Sequence, residues 1–136
     1  MTYQEKKDLL RSYRVAYLAA ADAARRLDEF RQRNAGVKAI VYDTMPKGSP
    51  TPRDLSDYAA KLDELAGDVW REAQKYQAQS RRVMAVIENV SDARERRLLS
   101  LRYLDFYTFE AVADTMGYSV RQVLRIHRRA IENLKP

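Results

Sequence analysis

Two long stretches of this chain place their apolar positions at alternating steps of three and four. Tyr3, Lys6, Leu10, Tyr13, Tyr17, Ala20, Ala24 and Leu27 form the first row. That spacing is the seam of a coiled-coil-like helix. Thr2 and Glu5, three apart at its start, form a capping box. The row predicts a helix of about 30 residues, about 45 Å long, with Asn34 and Gly36 as its stop. The second row runs through Tyr58, Leu62, Leu65, Val69, Ala73, Tyr76, Ser80, Val83, Ile87 and Val90. Two consecutive steps of four make a stutter near Ala73. Thr51 as cap, Pro52 at the first helical position and Asp54 at the third predict where this helix begins. Gly67 costs it roughly 1 kcal/mol relative to Ala unless packing needs the space. Trp70 lies beside the row and reads as an interface anchor.

Between the two helices, residues 35–53 form a connector that holds Pro46, Pro50 and Pro52 with Gly36 and Gly48. Helices of similar length joined this way should lie antiparallel. A bare two-helix hairpin has little core for its surface, so both stripes point to a second copy and an assembly of at least a dimer. The alternative is a monomeric hairpin folded against the C-terminal part.

The periodicity shortens after Val90. Ser91 or Asp92 caps a helix near Asp92–Tyr103 whose inward face is Leu98, Leu101 and Leu104, with Arg94, Glu95, Arg96 and Arg97 as a solvated charged face. Asp105–Thr108 is a turn, with Thr108 capping the next helix. Val112 and Met116 then share one face of that short helix, and Ala113 is small enough for a close helix crossing. Gly117 supplies a turn residue at φ > 0. Tyr118 is an apolar plug. Ser119 and Gln122 make a second capping box. Val123 and Ile126 face inward on the helix that follows, while Arg121, Gln122, Leu124, Arg125 and Arg128 face out. This order of features is the grammar of a DNA-binding helix-turn-helix. The chain therefore divides into a helical hairpin and oligomerisation region, 1–90, and a helix-turn-helix domain, 91–136.

Charge sharpens this picture. The 136 residues carry a net +6, and Ser119–Pro136 alone holds five Lys and Arg against one Glu. The excess lies on and after the second helix of the motif, where a polyanion would be met. There is no cysteine and a single histidine, which leaves no thiolate centre, no histidine pair and no Cys-based metal site. No Gly-rich phosphate loop or Ser-His constellation is present either. The expectation is a protein without catalytic residues, metal or cofactor. MTYQEKKDLL lacks the apolar core of a signal peptide, and no apolar run is long enough for a bilayer. The expected setting is the cytoplasm of a bacterial host cell, with no membrane partner.

The segment RERRLLSLRYLDFYTFEAVADTMGYSVRQVLRIHRRAIENL resembles the region-4 helix-turn-helix of sigma-70-type factors, which binds the −35 promoter element. The landmarks are Leu101–Tyr103, Ala113, Gly117, Ser119 and the run Val123–Leu134. The whole layout, with the Met-Pro and Gly-Ser-Pro of the connector followed by YAAKLDEL, is similar to the RinA/ArpU family of phage and prophage proteins from Gram-positive bacteria. The expected fold is all-α, a long antiparallel coiled-coil-like hairpin followed by a sigma-like helix-turn-helix, and the family resemblance implies a transcriptional activator of late phage genes. Carried over position by position, the sigma-like match places Val120, Arg121, Leu124 and Arg125 toward base edges. It places Arg102, Thr108, Ser119, Gln122, Arg128 and Arg129 on the DNA backbone. Val120 and Leu124 depart from the usual polar or basic residues, and an apolar side chain there favours a thymine methyl. His127 adjoins the inward face and reads as a packed or phosphate-side group.

The leading expectation is a sequence-specific regulator that binds double-stranded DNA, forms a homo-oligomer and touches host RNA polymerase through Arg94–Arg97. One alternative is a small terminase-like DNA-packaging protein, although those generally carry the DNA-binding unit first. The other is a coiled-coil interaction protein that binds RNA polymerase.

Overall fold

The computed structural model describes residues 1–35 and 52–136; all but the edges of the expected connector, with the Thr51 cap and Gly36, lies outside them. The fold is all-α, with no strand among the described residues. Helix α1 spans Tyr3–Arg33 and α2 spans Pro52–Glu88. Helix α3, Ala93–Leu99, continues into a π-helical turn at Ser100–Leu104. Helices α4, Phe109–Met116, and α5, Val120–Glu132, complete the chain.

Local chemistry accounts for the boundaries. The Thr2 amide donates to Glu5 Oε2 at 2.7 Å and the Glu5 amide donates back to Thr2 Oγ1 at 3.2 Å. Two amides that the first turn leaves without helical partners are thereby satisfied. At the other end of α1 the Asn34 backbone and side-chain amides both donate to the Phe30 carbonyl, at 3.1 and 2.8 Å. Asp92 caps α3 by accepting from the Arg94 and Glu95 amides, at 2.8 and 3.2 Å. These two bonds hold its carboxyl below the usual carboxylate range.

The described residues group into two compact units, and the long helices contribute to both. One unit joins Met1–Tyr17 to Tyr76–Pro136, and the other is Leu18–Lys75. This grouping differs from the expected division after residue 90, because the first turns of α1 and the last turns of α2 share a core with the helix-turn-helix. Leu9, Leu10, Tyr13, Val83, Val86 and Ile87 belong to the same buried cluster as Leu98, Leu99, Tyr103, Val112, Val123 and Ile131. Within this unit Ser12 bonds Gln79 at 3.2 Å and the hydroxyls of Tyr13 and Tyr76 lie 3.0 Å apart, so the two helix segments run antiparallel. The bond to Tyr76 and burial push the Tyr13 hydroxyl pKa up to about 12.

The second row is buried or half-buried at every position from Tyr58 to Val90. The first row is rotated against expectation. Leu10 and Tyr13 are buried, but Tyr17 and Ala24 are exposed while Ala16 is half-buried and Ala23 buried. Runs of alanine allow either register, and the bulkier Leu27 and Phe30 settle it. In the Leu18–Lys75 unit Ala23 and Leu65 are both buried, and the rings of Phe30 and Tyr58 stack at 5.3 Å.

Two features near residue 100 depart from regular geometry. Asp105 donates to the Ser100 carbonyl, five residues back, at 3.1 Å, and Phe106 adopts φ 61. A bulky side chain in the left-handed region is strained. Its ring is seated against Tyr13 and Tyr17, at 5.7 and 5.4 Å between centroids. That packing offsets the backbone cost. The inward face of α3 is accordingly Leu98, Leu99 and Tyr103, with Leu101 and Leu104 half-buried.

Gly67 is not a close-packing glycine in this structure. A Cβ built there meets only the end of the Arg71 side chain, at 3.3 Å, which can move aside. Gly67→Ala is therefore expected to stabilise the protein by about 0.5–1 kcal/mol through helix propensity, read as a higher urea midpoint. A lower midpoint instead would mean that the Gly67 face is closely packed.

Candidate nucleic-acid interface

The interface is built from a tight turn outward. Thr108 Oγ1 accepts from the Ala111 amide at 3.1 Å and starts α4. Gly117, at φ 74, ends it in the left-handed conformation, where Gly carries no Cβ penalty. The Tyr118 amide reaches back to the Ala113 carbonyl at 3.0 Å. Ser119 then caps α5: its Oγ accepts from the Gln122 amide at 3.2 Å, and its own amide donates to Gln122 Oε1 at 2.9 Å. Only a few residues separate the two helices, so their crossing is fixed by this hydrogen bonding and by Ala113, which is 3% exposed.

Helix α5 is sharply two-faced. Val123, His127, Ala130 and Ile131 are buried, whereas Arg121, Gln122, Arg125, Arg128 and Arg129 are exposed. Leu124 is 47% exposed and Val120 37%, against 0% for Val123. Two apolar side chains on the outer face contribute little to folding and are available to a partner. Arg121 and Arg125 stand with them on that face. Arg128 is paired with Glu132 at 3.1 Å, an exposed pair one helical turn apart, which is worth only a few tenths of a kcal/mol and can exchange for a phosphate.

The flanking groups are held by the scaffold. Arg102, in the π-helical turn, donates Nη1 to the Tyr107 carbonyl at 2.8 Å and lies 4.4 Å from the Phe109 ring centroid. Thr108 and Ser119 are exposed at the starts of the two helices, each already engaged as a cap. Gln122, Arg125 and Arg129 line a shallow cleft together with Arg94. Arg94 is exposed, as expected, and its place in the same cleft as Arg125 depends on how α3 crosses α5, which periodicity does not encode. Glu95 departs from the expected solvated face. It is buried, with Arg129 and Asn133 beside it, and desolvation raises its carboxyl pKa.

His127 lies beneath the recognition face. Its Nε2 and the Tyr103 hydroxyl are 2.7 Å apart, its ring stacks on Tyr103, and Phe109 meets it edge-on at 5.0 Å. Burial, aided by the nearby cations Lys7, Arg102 and Arg11, lowers its pKa from 6.5 to about 4. It is a packed neutral group at ordinary pH. Lys7 and Arg11 come from α1, and nothing in the spacing of the helix-turn-helix pointed to them.

Among the described residues no cluster of His, Asp or Glu could hold a metal ion, and no helix is long and apolar enough to cross a membrane. Residues 92–135 match the family described as sigma-70, region 4. The matched span runs from the Asp92 cap to Lys135 and contains the whole arrangement just described. No curated protein and no solved structure matches the chain. The C-terminal third is thus a sigma-70 region 4-like helix-turn-helix, a DNA-binding type of unit.

The depressed pKa of His127 has a consequence for stability. The unfolded chain takes up a proton as pH falls through 6.5, whereas the folded chain does so only near 4. This group therefore removes stability as pH falls across that window, by about 1.4 kcal/mol per pH unit. Urea midpoints followed from pH 7 to pH 4 should fall less steeply for His127→Gln than for the native chain. Equal slopes would show that His127 is not held neutral.

Proposed function

We propose that this chain is a sequence-specific regulator of transcription that binds double-stranded DNA through α5. The observation that carries the reading is the outer face of α5, where Arg121 and Arg125 flank exposed Val120 and Leu124 on a helix anchored by a buried opposite side. A helix of this kind fits the major groove, where arginine reads guanine and an apolar side chain meets the thymine methyl. Arg102, Thr108, Ser119, Gln122, Arg128 and Arg129 then meet the backbone, and such contacts fix register and supply most of the salt-dependent affinity.

The layout supports a more specific role. A helical N-terminal part ahead of a sigma-like unit, and the connector and YAAKLDEL stretch, resemble the RinA/ArpU type, so the regulator acts as an activator of phage or prophage late genes. Exposed Arg94 and Arg97 are the surface offered to RNA polymerase. Contacts to DNA tether the activator, and a weak polymerase contact gains from high effective concentration. The chain works as an oligomer, so that two recognition helices reach one face of a duplex. Trp70, 66% exposed on α2, supports self-association, since a large aromatic at the surface is a typical interface anchor.

Two experiments test this reading. Arg121→Ala and Arg125→Ala should each cost on the order of 1–3 kcal/mol at the preferred site and relax its base preference, whereas Arg129→Ala should weaken all duplexes about equally and lower the salt slope by about one unit. Silent Arg121 and Arg125 variants would remove α5 from the interface. For assembly, sedimentation at micromolar concentration should give at least a dimer, which Trp70→Glu shifts toward the monomer; a native chain that sediments at 15.8 kDa contradicts the oligomer.

A further inference from the structure

The N-terminal turns of α1 separate their charges by face. Lys7, Arg11 and Arg14 are spaced by four and three residues and so share one face. The acids of the same turns lie elsewhere. Glu5 is drawn into the capping box on Thr2, and Asp8 accepts from Gln4 at 2.9 Å. Both border a shallow cleft shared with Ser12 and Gln79, on the side toward α2. The basic face borders the side of α1 that packs on the helix-turn-helix. Lys6 Nζ donates to the Glu132 carbonyl at the end of α5, at 2.9 Å. Arg14 lies 5.5 Å from the Phe106 ring centroid, beside the turn that leads into α4. Lys7 and Arg11, between these two fixed points, are close enough to His127 to act on its charge.

None of Lys7, Arg11 and Arg14 is in an ion pair among the described residues; Lys7 lies 5.7 Å from the Tyr3 ring centroid. Like charges on one helix face repel each other and gain nothing for folding. Their cost is offset when they face a polyanion. Arg102, proposed above for the DNA backbone, stands in the same neighbourhood and acts with Lys7 and Arg11 on His127.

We propose that Lys7, Arg11 and Arg14 form a second contact strip for the phosphate backbone of the duplex that α5 reads, extending the interface beyond the sigma-like segment onto α1. The inference rests on the DNA-binding reading of α5. The strip touches phosphates only, so it adds affinity and register without base preference. It also explains why the start of α1 shares a core with the helix-turn-helix: a backbone clamp works only if it is held rigidly to the recognition helix.

The test is a salt titration of the intact chain on a preferred duplex, with base preference measured alongside. Lys7→Gln combined with Arg11→Gln should flatten the dependence of log affinity on log salt by about two units and leave base preference unchanged. Lys7→Arg combined with Arg11→Lys should keep the native slope. Should the double variant fold poorly, each single Gln variant should flatten the slope by about one unit. An unchanged slope in the Gln variants overturns the strip. Arg121→Ala, run beside them, separates the two ideas. If it relaxes base preference while the Gln variants keep the native slope, only the strip is wrong. If it too changes nothing, the reading of α5 has failed and the strip falls with it.

Discussion

The helix-turn-helix shares its core with both long helices. Helices α3, α4 and α5 are short, and a segment of that size buries too little surface to be well stabilised by itself. Leu9, Leu10 and Tyr13 of α1 and Val83, Val86 and Ile87 of α2 complete the cluster around Leu98, Leu99, Val123 and Ile131. Loss of a fully buried leucine from such a cluster costs roughly 2–5 kcal/mol. The outer face of α5 is consequently presented by a rigid body that includes parts of both long helices. Preorganisation of this kind leaves a recognition helix little ordering entropy to lose on binding.

Two polar or strained details follow from the same constraint. His127 is the point where α5, α4 and the π-helical turn meet, and its Tyr103 partner lets it be buried without an unsatisfied nitrogen. Phe106 takes a left-handed backbone because its ring is wanted against Tyr13 and Tyr17. The π-helical turn at Ser100–Leu104 carries Arg102, which lies over the Phe109 ring. A shift of α1 would therefore be felt at the start of α4.

Much of this was legible because it is written in short-range chemistry. The pairs Thr2/Glu5 and Ser119/Gln122, the Asp92 and Thr108 caps and the positive φ of Gly117 all depend on residues within a few positions of one another. The inward and outward faces of α5 follow from simple helical spacing. What was not legible depends on tertiary placement. Burial of Glu95 is decided by the approach of Arg129 and Asn133. The rotation of the α1 seam from Tyr17 and Ala24 to Ala16 and Ala23 is hidden in an alanine-rich run that suits either register. The grouping of Met1–Tyr17 with the helix-turn-helix cannot be seen in a heptad pattern that continues unbroken along α1. Lys7 and Arg11 were visible as charges, but only the packing of α1 near His127 gives them a place in the interface.

The central claim is that the outer face of α5 reads base edges in the major groove. It is tested most directly by enriching bound duplexes from a random-sequence pool, with the native chain and with Leu124→Gln in parallel. The native chain should enrich one short motif, and the variant should change the preferred base at a single position, away from thymine. Enrichment of no motif, or of the same motif by both proteins, would contradict the account.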